Sequence, residues 1–153
     1  MKKLFIIMVL VCIVVITLFS THKKPEIIET QKVPTDVKGM IVYYSEQYGA
    51  SLPLLDKMAD CESDFNPLAK GDGGKAHNVY QYHYARFIED AKLMGETLDY
   101  NSAHDNIKLA VWISVHYPER MQAWTSYRAI KNGGVYSFYS RTLKKHYTVY
   151  CKL

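Results

Sequence analysis

The sequence is poor in the residues that would announce a metal centre, a cofactor or a cross-linked scaffold. It has six histidines, but His77, His83, His104, His116 and His146 contain no pair at i and i+4, and His22 falls in a polar stretch near the start. No metal site and no cofactor is expected from that spacing. Three cysteines exclude a disulfide-dense fold, and Cys12 sits inside an apolar run. Cys12 also fails as a lipidation site, because Val11 stands where a small residue is required. There is no internal repeat, and 153 residues leave room for one modest domain with an appendage, not for two enzyme domains.

Apolar sequence is concentrated at the start. Leu4 to Phe19 is an unbroken apolar run relieved only by Thr17, preceded by Lys2 and Lys3 and followed by His22, Lys23 and Lys24. It falls just short of the ~20 residues that span a bilayer, a deficit that Ser20, Thr21 and snorkelling lysines can cover. The exit lacks the Ala-x-Ala pattern of signal-peptidase sites, so an uncleaved anchor is favoured over a cleaved signal peptide across residues 1–22. Residues 23–36 are polar, carry Pro25 and Pro34, and read as an extended linker. The net charge of +4 and a pI near 8.8 suit an anionic polymer, whether cell wall, membrane surface or nucleic acid, without choosing among them.

From residue 37 to residue 153 the periodicity predicts a mostly α domain. Met40, Ile41, Tyr44 and Tyr48 form a stripe that stops at Gly49, predicting a helix over 37–48. Ser51 as N-cap and Pro53 in the first turn start a second helix that reaches about Glu62. Asn66-Pro67 and Gly71-Asp72-Gly73-Gly74 predict a loop from Asp64 to Asn78. Further stripes run from Tyr84 to Met94 and from Ile107 to Val115, and a continuous helix is expected from Glu119 to Ile130. Tyr136 to Tyr150 is open between helix and strand, because aromatic and β-branched residues compete there with helix formers.

The segment Tyr48 to Phe87 carries the chemistry. Glu62-Ser63 ends a helix; Asn66-Pro67, Ala69, Asp72-Gly73-Gly74-Lys75 and Val79-Tyr80-Gln81 follow in order. This succession resembles the soluble lytic transglycosylase and goose-type lysozyme superfamily, including phage- and conjugation-associated branches. The resemblance implies a lysozyme-like, mostly α domain, which the apolar run would place behind a single N-terminal transmembrane helix. Its implied activity is cleavage of peptidoglycan between N-acetylmuramic acid and N-acetylglucosamine, with Glu62 as acid/base and no second carboxylate required.

Elementary electrostatics agrees with the choice of Glu62. A carboxylate in the last turn of a helix faces the negative end of the helix dipole, and apolar surroundings desolvate it; both raise its pKa toward that of a general acid. If water is the acceptor instead, Asp64 and Asp72 are the candidates for a second carboxylate. Ser63 would orient the helix end, Gln81 and Tyr80 would meet the sugar, and Trp124 and Tyr127 are the candidate aromatics of the groove. Asn78 stands where the superfamily has glycine; asparagine tolerates a left-handed backbone, which would preserve the turn and add a side chain near the groove.

The expected partners are peptidoglycan, the membrane at the N-terminal run, and envelope or secretion-complex proteins, but not nucleic acid. The expected location is outside the cytoplasm, anchored, or secreted if the N-terminal segment is cleaved. The alternative is a non-catalytic, degenerate domain that binds glycan or an envelope partner through the same groove. In an exported chain Cys61 and Cys151 have one possible pairing, against the alternative of two unpaired buried thiols.

Overall fold

The computed structural model describes residues 32–140 and 144–153, and its compact unit spans Val33–Leu153. The expected anchor over residues 1–22, and the expected linker up to residue 31, lie outside the described residues.

Five α-helices frame the unit: α1 Val37–Tyr48, α2 Leu52–Ser63, α3 Tyr84–Met94, α4 Ala103–His116 and α5 Thr125–Lys131. Helix α1 begins where the Asp36 carboxylate accepts from the Gly39 N–H at 2.7 Å, and ends at Gly49 in the left-handed conformation. Helix α2 starts after Ser51, but no side-chain cap bond forms there; Pro53 supplies the start through its fixed φ. A 3-10 helix, Pro118–Ala123, joins α4 to α5.

Strands interrupt this frame at two places. The segment expected as loop, Asp64 to Asn78, contains two two-residue strands, β1 Lys70–Gly71 and β2 Ala76–His77, which with β3 Tyr82–His83 beyond it form a three-stranded antiparallel meander. Its turns are made possible by left-handed residues, among them Asp72 (φ 51°), Asn78 (φ 63°) and Gln81 (φ 46°). Further on, β4 Val135–Ser140 pairs antiparallel with β5 Lys145–Tyr150, Val135 opposite Tyr150 and Phe138 opposite Tyr147. Phe138 stacks across the pair on Tyr147 with centroids 5.8 Å apart, and along β4 on Tyr136 at 5.9 Å; the cross-strand contact favours strand over helix.

The expectation of a mostly α, lysozyme-like domain behind a transmembrane helix is therefore corrected. About half of the described residues are helical, with two small sheets beside them. Among the described residues, no helix is long and apolar enough to cross a membrane.

A second correction concerns the continuous helix expected over Glu119 to Ile130. It is broken at Trp124, whose backbone is extended (φ −82°, ψ 129°). Its indole N–H donates to the Tyr80 carbonyl at 2.7 Å with the ring almost wholly buried. A buried indole needs such a partner, and reaching it costs the helix one residue of continuity.

The core is formed by Ile41, Leu55, Met58, Phe87, Ile107, Leu109 and Ile113, with Val79, Tyr80, Tyr82 and Met121 closing it beside the meander. Tyr84, expected in the apolar stripe of α3, is instead exposed at its first position. Asp90 is fully buried on α3, with Arg86 Nε at 2.9 Å, Arg120 Nε at 2.6 Å and the Tyr82 hydroxyl at 3.2 Å. A buried carboxylate so surrounded has its lone pairs satisfied. Through Arg120 it fastens the 3-10 helix to α3, fixing the approach to Trp124.

Candidate active site

Glu62 occupies the last turn of α2, one residue before the helix ends, with Asp64 in the left-handed capping conformation (φ 53°). Its side chain is partly buried and lines a cleft of about 340 Å³ with Gly71, Asp72, Ala76, Gln81, His83, Ala123, Trp124 and Thr125. Helix α2, the meander and the turn into α5 each supply part of the wall.

Burial is the main influence on the Glu62 carboxyl and raises its pKa; the Asp72 carboxylate adds in the same direction. Hydrogen bonds from Ser126 oppose them, the strongest from its hydroxyl, which donates to Glu62 Oε1 at 2.5 Å. The balance is upward, so the group holds its proton at higher pH than an ordinary carboxyl. Ser126 is itself buried near the start of α5. It was not among the candidates read from sequence, since nothing local distinguishes a serine that pairs with a carboxylate 64 positions away.

Replacing Ser126 with alanine removes a donor to the charged form of Glu62. The pKa of Glu62 then rises further, and any activity needing its protonated form persists to higher pH. We expect the alkaline limb of a pH–activity profile to move upward in Ser126→Ala, with a several-fold lower maximum because the carboxyl is less firmly oriented. An unmoved limb would mean that this hydrogen bond does not govern the titrating group.

The remaining sequence candidates divide. Gln81 and Trp124 line the cleft with Glu62. Gln81 donates through Nε2 to the Asn78 carbonyl at 2.6 Å and lies 3.3 Å from that of Ala69, so its Oε1 is left as an acceptor beside Gly71. A Cβ on Gly71 would collide with that oxygen, so a side chain there would require the Gln81 amide to shift. Of the two candidate second carboxylates, Asp72 lines the cleft and Asp64 does not.

Ser63, Asn78, Tyr80 and Tyr127 stay out of the cleft wall. The Ser63 hydroxyl lies 2.9 Å from the Val79 carbonyl and 3.2 Å from that of Ala59, tying the end of α2 to the meander. Asn78 does adopt the left-handed backbone, but its side chain donates to the Tyr100 carbonyl at 3.0 Å, away from the cleft. Tyr80 is wholly buried and its hydroxyl donates to the Leu55 carbonyl at 3.1 Å, so it is a core residue. Tyr127 packs on the core with Lys131 Nζ 5.8 Å above its ring.

Sequence reasoning missed His83. Its Nε2 lies 2.8 Å from Asp72 Oδ2, and both side chains are well exposed on the cleft wall. The meander brings them together by pairing β3 with β2, an association invisible in the linear sequence. Among the described residues no three His, Cys, Asp or Glu side chains are grouped to hold a metal ion.

Cys61, immediately before Glu62, is disulfide-bonded to Cys151, with Cα atoms 5.3 Å apart. Cys151 N donates to the Gly134 carbonyl, and Gly134 N to the Ala129 carbonyl, each at 2.8 Å. Since Ala129 and Ser126 share α5, a closed circuit of covalent and hydrogen bonds surrounds the Glu62–Ser126 contact.

Comparison of the chain with protein families, with characterised proteins and with solved structures returns no match. The chemistry of the cleft is therefore read from its own residues.

Proposed function

We propose that the Glu62 cleft cleaves peptidoglycan glycan strands between N-acetylmuramic acid and N-acetylglucosamine. The observation that carries this reading is a partly buried carboxyl, its pKa raised, held by a buried serine and open to a cleft. Protonated Glu62 donates to the glycosidic oxygen as the bond from the anomeric carbon breaks, and the leaving sugar departs as an alcohol. The cationic anomeric centre is captured by the substrate's own N-acetyl and C6 hydroxyl groups, or by water. Glu62, now a carboxylate, takes the proton that the attacking hydroxyl or water loses, restoring the acid.

The cleft residues suit a sugar. Trp124, almost wholly buried, backs the cleft wall, and Gln81 Oε1 accepts from an amide N–H or a hydroxyl. Asp72, held by His83, is the group that would activate water if the reaction ends in hydrolysis. A peptidoglycan substrate places the domain outside the cytoplasm, where the Cys61–Cys151 disulfide is stable.

The test is digestion of isolated sacculi by the full chain in detergent, with mass spectrometry of the soluble products. Muropeptides ending in 1,6-anhydro sugars are expected for internal capture and reducing ends for capture by water. No release by folded protein would sink the reading.

A further inference from the structure

A second hollow of about 330 Å³ adjoins the Glu62 cleft and is lined by Gln81, Tyr82, His83, Arg86, Ala123 and Trp124. Gln81, His83, Ala123 and Trp124 border both, so the two form successive parts of one groove. The parts differ in charge. Around Glu62 the wall carries the Asp72 carboxylate, whereas the second part has no carboxylate in its wall and has the Arg86 guanidinium.

Arg86 is ion-paired on one side, and its bonds leave part of the guanidinium unused. Its Nε donates to Asp90 Oδ2 at 2.9 Å and one terminal nitrogen donates to the Arg120 carbonyl at 3.1 Å. The same Asp90 also serves Arg120, through Nε at 2.6 Å, so a single buried carboxylate faces two guanidiniums. Glu89, mostly exposed, reaches Arg120 at 3.3 Å and makes no bond to Arg86. His83, the other basic side chain in the hollow, is engaged by Asp72. One terminal nitrogen of Arg86 is thus left, among the described residues, without a protein acceptor. It belongs to a guanidinium fixed in direction by two bonds, in a hollow that Ala123 and Trp124 also line.

Such a hollow fits a group with a short apolar or peptide stem that ends in a carboxylate. We propose that it is a subsite for the carboxylate-bearing peptide stem of the glycan strand, anchored by Arg86; this rests on the glycan-cleaving reading of the adjoining cleft. A fixed guanidinium recognises a carboxylate by directed, charge-assisted hydrogen bonds, and its immobilisation is already supplied by Asp90. Neutral polymers of N-acetylglucosamine have nothing to place there. The subsite therefore selects peptidoglycan over other N-acetylated glycans and sets which sugar lies over Glu62.

The full chain in detergent is assayed on three substrates: intact sacculi, sacculi whose stem carboxyls have been amidated, and glycan strands stripped of stems by an amidase. The intact substrate is expected to be cleaved roughly tenfold more efficiently than the other two, the difference residing in KM. In Arg86→Gln the ratio of intact to stripped rates is expected to fall toward one, and Arg86→Lys to restore part of it. Equal rates of the wild-type protein on all three substrates would overturn the subsite alone. So would an Arg86→Gln variant that slows intact and stripped strands by the same factor, since that marks a purely structural partner of Asp90. If Arg86→Gln does not fold, the wild-type comparison of intact with amidated sacculi still decides. Failure to cleave any of the three would overturn the glycan-cleaving reading and the subsite with it.

Discussion

Glu62→Gln is expected to reduce muropeptide release by roughly 10²- to 10⁴-fold, the contribution typical of a positioned general acid, while leaving the folded protein no less stable at neutral pH. The two halves of this expectation share one cause. Glutamine keeps the shape of the side chain and an oxygen for the Ser126 hydroxyl, but has no proton to give to a glycosidic oxygen. The stability half follows from the direction of the Glu62 shift. Its carboxyl has a higher pKa in the folded protein than in the unfolded chain, chiefly through burial. The folded state therefore binds the proton more tightly. The associated stabilisation is fully present below the unfolded pKa and is lost as pH rises through the folded one. As pH rises above the unfolded value the wild-type protein progressively loses that stabilisation, and the variant, which does not titrate there, does not. Melting temperatures should be equal, or higher in the variant, at pH 7, and the difference should close toward pH 4. A variant that melts well below the wild type at neutral pH would show Glu62 to be held in place as a structural anion. Retained activity would remove it from the acid role.

Much of what places Glu62 is legible in the sequence, and for identifiable reasons. Gly49 and Gly95 stop α1 and α3 because both adopt the left-handed backbone that glycine favours, and the stripes leading to them have helical spacing. The end of α2, and with it the position of Glu62 near the negative pole of the helix, is similarly local. The meander was not legible, because its turns place aspartate, asparagine and glutamine at positive φ, and of these Asn78 alone was singled out as tolerant of that conformation. Nor could local pattern show that Tyr80 and Tyr82 both turn inward while Tyr84 faces solvent. Within strands two residues long, alternation carries little information, and the outcome depends on what Leu55 and Asp90 offer to the two hydroxyls.

The cleft itself is a product of contacts distant in sequence. Trp124 is drawn out of helical geometry by a carbonyl 44 positions earlier, and that break begins α5 with Ser126 aimed at Glu62. Asn106, fully buried on α4, accepts from the Tyr80 N–H at 2.9 Å and donates to the His77 carbonyl at 3.2 Å, holding the meander against the helices. Periodicity finds elements that bury a face. It has no means of finding a polar side chain whose role is to satisfy one backbone group far along the chain.

Loss of the Cys61–Cys151 bond is expected to be the largest single blow to stability. The bond closes a separation of 90 residues, and on the chain-entropy account so long a loop contributes roughly 4 to 5 kcal/mol by restricting the unfolded chain. For a unit of this size, that corresponds to a fall in melting temperature of roughly 15 to 25 °C in a double Cys→Ser variant, or in the wild-type protein under reductant. The effect should not stop at stability. Cys61 adjoins Glu62, while Cys151 is linked through Gly134 and Ala129 to the helix that carries Ser126. Opening the bond frees one side of that circuit, leaving the Glu62–Ser126 contact to the remaining hydrogen bonds and packing. Activity measured at a temperature where the reduced protein is still folded should then fall, because the Glu62–Ser126 contact is less firmly positioned. Alkylation followed by mass measurement provides the control: both thiols should resist labelling until reductant is added. Labelling without reductant, or a melting temperature indifferent to it, would remove the cross-link from the account of how Glu62 is held.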